Sequence, residues 1–338
     1  MNRYLVAGAG VALVTFAVLL SFWLLLPERE GVDLVWMLMA SVLGGLGSAI
    51  ITVGATVVLG LMFGVTTRIQ LMELAQISHP LLRDLQEKAP GTFHHSVIVG
   101  NLAERAADLT GADSLLVRVG SYFHDIGKIG KPGHYIENQL QGDNPHDRLA
   151  PGASAEIVAE HVRHGIELSR RYRLPARVRA FIPEHHGTRL ITYFYRKASA
   201  ENPTVNPESF RYPGPRPQSK ETAIVMLADS VEAIIRSSHD RSPEVIDTLV
   251  NGVIAERMTE GQLDACDLTL RDLRIIGDSF KVTLSGVYHP RIEYPTPTEA
   301  ERQATGGHAG PEDAPFMQPP PGPMDGATPP AEVERPAR

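Results

Sequence analysis

Two uncharged stretches, Tyr4–Leu26 and Leu34–Gly64, dominate the hydropathy pattern at the start of the chain. Each is long enough to cross a bilayer, which takes about 20 residues. The first exceeds the roughly 7–15 apolar residues of a signal peptide, and the charged Pro27–Glu30 offers no small-residue cleavage site. We therefore predict a transmembrane hairpin. Because Arg3 and Arg68 flank its outer ends, the positive-inside rule places the acidic connecting loop outside and both ends in the cytoplasm.

Small residues recur every three or four positions along the second stretch. They are Ser41, Gly44, Gly45, Gly47, Ser48, Gly54, Gly60 and Gly64. This spacing lets membrane helices approach closely, so it favours packing against the first helix or against a second copy of the chain in a homodimer. The ordinary enrichment of glycine in membrane helices accounts for it equally well.

Beyond the hairpin, apolar positions follow a helical period. Residues 66–91 are predicted to be a linker, because leucines and charges share one amphipathic helix over Arg68–Lys88 before Ala89–Gly91 breaks it. From 92 to 294 one helical pattern follows another without sustained period-two alternation, which predicts an all-α domain. Residues 295–338 are rich in Pro, Gly, Ala and Glu and predict a disordered tail.

Charge and cysteine content narrow the possible functions. The net charge is −7 and no block of Lys and Arg is present, which argues against duplex nucleic acid as a partner. The single cysteine, Cys266, excludes an internal disulfide and fits a reducing compartment. With thirteen histidines against that one thiol, any metal site is expected to use nitrogen and oxygen ligands.

The main chemical motif is Ser121–Lys128, where a histidine and an aspartate stand side by side at the end of an apolar helix. Leu115, Leu116, Val119 and Phe123 mark the helix, Gly111 closes the one before it, and Asp113 or Ser114 can cap it. Gly127 is expected to end the helix in a left-handed turn. The imidazole of His124 and the carboxylate of Asp125 suit a metal ion, and the ammonium of Lys128 suits phosphate oxygens.

Two further histidines lie at the centre of apolar helix faces. Counting 100° per residue along the helix that begins at His94 places His95 in the apolar stripe and His94 on the polar side. His161 is centred on the apolar face of a helix predicted over 154–172, with His164 at the edge of that face. Both His95 and His161 are candidate metal ligands, although a hydrogen-bonded core histidine fits either position taken alone.

The remaining candidates are a histidine pair and an isolated aspartate. His185 and His186 follow an apolar turn and precede a glycine, so one rigid part of the backbone presents two imidazoles. Asp229 lies within an almost wholly apolar helix predicted over 223–235. A carboxylate is rarely buried unless it is paired or binds a metal, so Asp229 is either a ligand or the partner of Arg236.

Together these positions predict a metal centre with seven ligands. They are His95, His124, Asp125, His161, His185, His186 and Asp229. One metal takes three or four protein ligands, so seven indicate two metals with one carboxylate bridging them. Two metals about 3.5–4 Å apart are a common device for hydrolysing phosphoesters. A histidine and carboxylate set suits Fe, Mn or Zn without choosing among them.

Motifs around these positions carry a resemblance to a known family. They are Ala89–Ser96, Tyr122–Lys128, Glu137–Gln139, Asn144–Asp147, His185–Thr188 with Tyr193–Tyr195, Pro217–Thr222, Gly261–Leu263 and Arg291–Pro295. From about residue 63 to 295 the sequence resembles the PgpH-type 7TM-HD cyclic-di-AMP phosphodiesterases of the HD phosphohydrolase superfamily. Members of that family usually carry seven membrane spans and a large extracytoplasmic domain, whereas this sequence has room for two spans.

The resemblance implies a multi-pass protein of the cell (inner) membrane whose all-helical cytoplasmic domain hydrolyses cyclic di-AMP to linear pApA. It implies a di-metal centre, generally iron or manganese. By motif position, one metal would be held by His95, His124, Asp125 and Asp229, and the other by His161, His185 and His186, with Asp125 bridging. Lys128 matches the motif lysine and is expected to steady a phosphate oxygen.

Several points stay open at the level of sequence. Tyr193, Phe194 and Tyr195 either stack on adenine or serve helix packing, and Tyr135, Asn138 and Asn144 are candidates for lining the nucleotide cleft. One alternative function is an HD phosphohydrolase acting on cyclic di-GMP or a mononucleotide. The Gly-Tyr-Pro signature of cyclic-di-GMP enzymes is replaced here by Gly187-Thr188. The other is a membrane sensor that binds a nucleotide without turning it over, against which the intact ligand set argues.

Overall fold

A computed structural model describes residues 2–28, 30–62, 65–139 and 144–287. The tail predicted over 295–338 lies outside the described residues, and so does the end of the domain predicted to reach 294.

The described residues form thirteen α-helices joined by turns and short 3₁₀ segments. They are α1 (Asn2–Leu25), α2 (Gly31–Met62), α3 (Arg68–Leu74), α4 (Pro80–Lys88), α5 (Pro90–Thr110), α6 (Ser114–Phe123), α7 (Pro151–Arg171), α8 (Ala176–Arg179), α9 (Phe181–Glu184), α10 (Thr192–Glu201), α11 (Lys220–Ser237), α12 (Pro243–Thr259) and α13 (Leu270–Val287). Within this part of the chain no strand forms, and extended pairing is limited to one bridge between Leu190 and Arg211. The all-α prediction is confirmed.

The first two helices pack against each other through small residues. A Cβ atom placed on Gly8 would lie 2.8 Å from the carbonyl oxygen of Gly45, and one on Gly45 would lie 2.5 Å from that of Gly8. Gly44 and Gly47 have open space around them instead. Both helices are long and apolar enough to cross a membrane. Gly45 therefore belongs to the contact between α1 and α2, as one of the two interpretations of the small-residue spacing expects.

The segment predicted as a single amphipathic helix over Arg68–Lys88 is two helices, α3 and α4. Pro80 starts α4, and its ring both removes a backbone N–H and disfavours helical geometry at His79 before it. His79 instead caps α4, with its Nδ1 accepting a hydrogen bond from the backbone N–H of Leu81 at 3.3 Å. Leu71 and Leu82 are fully buried in the domain core. The segment is thus part of the domain's packing.

The elements that carry the candidate site surround this core. α5 ends at Gly111 in the left-handed region (φ 73°), and Asp113 caps α6 by accepting a hydrogen bond from the N–H of Leu116, both as predicted. α11 begins with a capping box in which the side chains of Ser219 and Thr222 each accept a hydrogen bond from the other's backbone N–H. The largest fully buried apolar side chains of the core are Leu71, Leu81, Leu82, Leu85, Leu102, Phe123, Ile126, Phe181, Ile182, Ile224 and Phe280.

The predicted left-handed turn at Gly127 is wrong. The positive-φ glycines of the described residues do not include it, and Gly127 lies within a 3₁₀ helix, Ile126–Gly130. A Cβ atom on Gly127 would overlap the carbonyl oxygen of His161. This glycine therefore serves the close approach of the 3₁₀ segment to α7, which brings Asp125 and His161 together.

Candidate metal centre

The seven predicted ligands converge in one place. Two sets of ligand atoms each lie within 4.8 Å of one another: His95, His124 and Asp229 in the first, and Asp125, His161, His185 and His186 in the second. We call the first the His95 group and the histidines of the second the His161 group. They come from α5, the end of α6, α7, the turn after α9, and α11. All but the partly exposed His186 are buried.

Asp125 lies between the two groups. Its Oδ1 is 3.4 Å from His161 Nε2 and 3.5 Å from His185 Nε2. Its Oδ2 is 3.3 Å from His124 Nε2 and 3.8 Å from His95 Nε2. One carboxylate thus presents a different oxygen to each group, which is the arrangement required of a bridging ligand.

Backbone carbonyls hold three of the histidines in orientation. The Nδ1–H of His124 donates to the Ser121 carbonyl at 2.6 Å, that of His161 to Val158 at 2.6 Å, and that of His185 to Ile182 at 2.8 Å. Because a carbonyl only accepts, Nδ1 must carry the proton. In the neutral ring, Nε2 is then left with a free lone pair that faces Asp125.

A carboxylate holds the fourth histidine. His95 Nδ1 lies 2.5 Å from Glu232 Oε2, and His95 Nε2 lies 3.0 Å from Asp229 Oδ1. Glu232 is 1% exposed, and Arg236 forms its ion pair with Glu232 at 3.3 Å. The salt bridge considered between Asp229 and Arg236 is therefore made by the next carboxylate on the helix. Sequence reasoning missed Glu232, although a second carboxylate three residues after Asp229 on an apolar helix was a usable signal.

The unpaired atoms at the centre test whether these residues fit a metal ion. His124 Nε2, Asp125 Oδ1, His161 Nε2, His185 Nε2 and His186 Nδ1 are all buried without a hydrogen-bond partner among the described residues. Buried polar atoms normally find partners, because an unsatisfied one costs about 1–3 kcal/mol. Here the unsatisfied atoms converge and are of the kinds that bind first-row transition metals. The cluster fits a divalent metal ion.

Burial and charge set the protonation of the metal-free site. Burial lowers the pKa of His95, but its hydrogen bonds to Asp229 and Glu232 outweigh that effect and raise it to about 10. Burial lowers the pKa of His161 to about 4, against the opposing charge of Asp125. Although burial alone would raise the pKa of Asp125, the positive charge of Lys128 and its other partners hold it well below the usual value. Asp125 is therefore a carboxylate at neutral pH.

Lys128 is fixed between two carboxylates. Its Nζ lies 2.7 Å from Asp125 Oδ2 and 2.8 Å from Glu137 Oε1. Glu137 also accepts a hydrogen bond from the Thr92 hydroxyl at 2.9 Å. Burial would raise the pKa of Glu137, but the charge of Lys128 and the hydrogen bonds to Glu137 together outweigh it and lower the pKa to about 2. The lysine is thus held as an ammonium at the edge of the cluster, with Glu137 as an anchor.

A cavity of about 420 Å³ opens over the cluster. His95, His186 and Asp229 line it together with Lys128 and Tyr135. Its wall also includes Tyr212, Arg189, Ile234, Val253 and Arg257. The cavity combines the candidate ligands with cationic, aromatic and apolar surface, which suits an anionic ligand that carries rings.

Tyr212 supplies an aromatic surface that sequence reasoning did not single out. Its ring stacks on that of His186, with the ring centroids 4.1 Å apart. Of the aromatics considered for stacking, Phe194 is buried in a second hydrophobic cluster, Tyr195 packs against that cluster, and Tyr193 is 67% exposed. None of these three lines the cavity described above.

The other polar candidates serve local structure. Asn138 bonds to Thr92 through both its amide oxygen and its amide nitrogen, and Asn144 caps a 3₁₀ turn by accepting a hydrogen bond from the N–H of His146. His164 Nδ1 donates to the Gly127 carbonyl at 2.8 Å and lies outside both ligand groups. Tyr135 alone of the three cleft candidates lines the cavity.

Comparison with known proteins identifies the family of this chain. Residues 92–234 match the HD domain. The crystal structure of the HD domain of the phosphodiesterase PgpH from L. monocytogenes is 47% identical, with a TM-score of 0.61, and the match covers 100% of that domain and 63% of this chain. The chain therefore belongs to the HD-domain family and, within it, to the group that contains the PgpH HD domain.

Two further similarities concern ligand and length. A crystal structure of the same L. monocytogenes domain in complex with cyclic-di-AMP matches with a TM-score of 0.61 and 47% identity, covering 64% of this chain and 100% of that one. The cyclic-di-AMP phosphodiesterase PgpH of Bacillus subtilis is 41% identical over 299 residues, which is 88% of this chain. The chain spans 42% of the length of that relative.

Proposed function

We propose that this chain is a membrane-anchored, metal-dependent phosphodiesterase that hydrolyses cyclic di-AMP to linear pApA. The observation that carries the proposal is the convergence of seven candidate ligands, with Asp125 between the other six, beside one cavity. Support for the substrate comes from the HD domain that is 47% identical and has been crystallised with cyclic-di-AMP.

We assign two divalent cations, iron or manganese, to this centre. The His95 group would hold one and the His161 group the other, with Asp125 shared between them. Two such ions neutralise charge on phosphoryl oxygens and lower the pKa of water, the chemistry that phosphodiester hydrolysis requires.

The chain's own residues bind and orient the substrate around that centre. Lys128, held by Asp125 and Glu137, keeps a positive charge beside the scissile phosphate. The Tyr212 ring, stacked on His186, offers a face for a base. In the overall reaction the P–O3′ bond breaks, water supplies the new oxygen on phosphorus, and the 3′ oxygen takes up a proton.

We further propose that α1 and α2 cross the cell (inner) membrane as a hairpin with the catalytic domain in the cytoplasm. Their length and apolar composition support this, since each exceeds the roughly 20 residues of a span. The family resembled has its catalytic domain in the cytoplasm, so the substrate would be met on this side of the membrane.

The test is turnover by the full chain in detergent, stripped of metal and reloaded with Mn²⁺. We expect pApA from cyclic di-AMP, at a higher kcat/KM than for cyclic di-GMP or a cyclic mononucleotide. His95→Ala should abolish turnover, whereas the matched change at its exposed neighbour, His94→Ala, should not. Preference for another nucleotide would move the assignment to a different HD phosphohydrolase, and tight binding without turnover would indicate a sensor.

A further inference from the structure

Two arginines line the cavity but belong to neither ligand group. Arg189 follows the turn that carries His185 and His186, and Arg257 lies in the last turn of α12. The side chain of Arg257 is 2% exposed and that of Arg189 is 20% exposed. Cations are seldom buried to this degree without a reason in binding or pairing, so the partners of these two side chains decide what they do.

Their positive charge is only partly matched by protein. Both approach the same oxygen, Glu260 Oε2, with Arg257 Nη1 at 3.0 Å and Arg189 Nε at 3.7 Å. Arg257 also reaches Glu256 at 3.1 Å, but that carboxylate is 54% exposed. The Nε atoms of both arginines are buried and have no hydrogen-bond partner among the described residues. A guanidinium at a cavity wall whose N–H donors are not all paired by protein keeps hydrogen-bonding capacity for an anion.

The two guanidinium groups also act on each other. Burial lowers the pKa of Arg257 and the charge of Arg189 lowers it further, while the charges of Glu256 and Glu260 oppose this shift. Like charges held together in a partly desolvated place repel, and Glu260, which approaches both guanidinium groups, offsets part of that repulsion. An anion bound in the cavity beside the pair would offset it further.

The position of the two arginines in the cavity indicates which anion they can bind. Arg189 Nη1 donates to the Ser230 hydroxyl at 3.4 Å, which places this guanidinium beside the residue that follows Asp229. Val253 and Ile234 supply apolar wall in the same cavity, and Tyr212 supplies the aromatic face. The arginines therefore share one chamber with the candidate metal centre without forming part of it.

We propose that Arg189 and Arg257 form the subsite for the second phosphate of the cyclic dinucleotide, the one that is not cleaved. This inference rests on the proposed function. A cyclic dinucleotide carries two phosphates in one closed ring, so when one lies at the metal centre the other remains within the same cavity and needs a counter-charge. Guanidinium is suited to that role because its planar N–H groups match phosphate oxygens.

The test compares a substrate with two phosphates and a substrate with one. The full chain in detergent, loaded with Mn²⁺, is assayed on cyclic di-AMP and on bis(p-nitrophenyl) phosphate, a diester without a second phosphate. Arg189→Gln should lower the ratio of kcat/KM for cyclic di-AMP to that for the simple diester by about tenfold or more, the size expected from one lost charge-assisted hydrogen bond. Arg189→Lys, which keeps the charge, should lower it less.

The control and the contrary outcomes separate this inference from the function it rests on. Arg118 pairs with Glu104 at 3.3 Å outside the cavity, so Arg118→Gln should leave the ratio unchanged. An unchanged ratio in Arg189→Gln, with the wild-type chain active on both substrates, overturns the subsite and leaves the function standing. A wild-type chain that cleaves the simple diester but not cyclic di-AMP overturns both. Arg257→Gln tests the more buried position in the same way, and the same fall in the ratio as in Arg189→Gln is expected there.

Discussion

The His95 group and the His161 group share Asp125, but His95 and His161 are oriented by different means. His161 and His185, like His124 of the His95 group, donate to carbonyls of their own helical turn, a contact that any sequence in that turn provides. His95 depends instead on Glu232, a side chain 137 residues away that brings a formal negative charge. The comparison teaches that local backbone geometry positions His124, His161 and His185, whereas tertiary packing positions His95. The His95 group is therefore the more open to mutation and to pH.

The two groups also differ in the protonation state that meets an incoming cation. In the metal-free protein His95 has a pKa of about 10 and carries two protons at pH 7. His161 has a pKa of about 4 and is already neutral. A metal ion must displace a proton from His95 but not from His161, since only a deprotonated nitrogen can bind it.

The largest expected effect is the loss of metal binding in both groups at once. Asp125→Ala takes away the carboxylate that faces both groups, so metal binding should fail in both and hydrolysis should drop by about 10³-fold or more. Elemental analysis measures the metal content, and turnover of cyclic di-AMP measures the hydrolysis. Asp108→Ala, an exposed aspartate on α5, is the control. Full metal content in Asp125→Ala would contradict the bridging role.

A second prediction separates the groups. Glu232→Gln keeps a hydrogen-bond acceptor for His95 but removes the charge, so the Mn²⁺ affinity corrected for release of the His95 proton should fall about 10–100-fold at the His95 group and little at the His161 group. Calorimetric titration of the metal-free chain would resolve the two binding events. Glu244→Gln, at an exposed carboxylate in the first turn of α12, serves as control. An equal loss at both groups would contradict the division drawn above.

The pH dependence of metal binding should also distinguish the His95 group from the His161 group. Because the pKa of His95 is raised to about 10, its proton opposes metal binding below that pH, and affinity at the His95 group should rise by up to about tenfold per unit between pH 6 and 9. Over the same range the contribution of His161, whose pKa is about 4, should be flat. Titrations in buffers of different ionisation enthalpy count the released protons. Glu232→Gln should flatten the dependence, and an unchanged slope in that variant would speak against Glu232 as its source.

The smallest expected effect is on stability and concerns the Lys128 anchor. Lys128 and Glu137 are 12% and 7% exposed, so Glu137→Gln should lower the free energy of unfolding of the metal-free chain by about 1.5 kcal/mol. The matched change at Glu160, whose pair with Lys131 is 42% and 48% exposed, should cost under about 1 kcal/mol. Thermal unfolding of both variants in detergent gives the comparison, and equal shifts would show that burial of the first pair is immaterial.

Sequence reasoning located His95 and His161 because each sits on an apolar helix face that a period of 3.6 residues reveals. The other candidates stood out because they lie at the ends of apolar helices, after an apolar turn or within an apolar helix. The count that put His95 inside and His94 outside agrees with the structure. It could not find Arg257, since nothing in a single helix tells which of its polar side chains a distant turn will meet. Gly127 shows a second limit, because a glycine required by a neighbouring helix looks in sequence like a glycine required by a turn. Tyr212 was missed for the same reason as Arg257, since its stacking on His186 is a tertiary contact.

The burial of Leu71, Leu74, Leu81, Leu82 and Leu85 in the domain core sets where a water-soluble fragment can begin. A fragment that begins at residue 92, where the HD match starts, would lack these five leucines. The core side chains that they cover would then be exposed to water. A fragment that keeps Thr67, whose side chain caps α3, retains that layer intact. The segment of α3 and α4 and the HD domain are, in folding terms, a single unit.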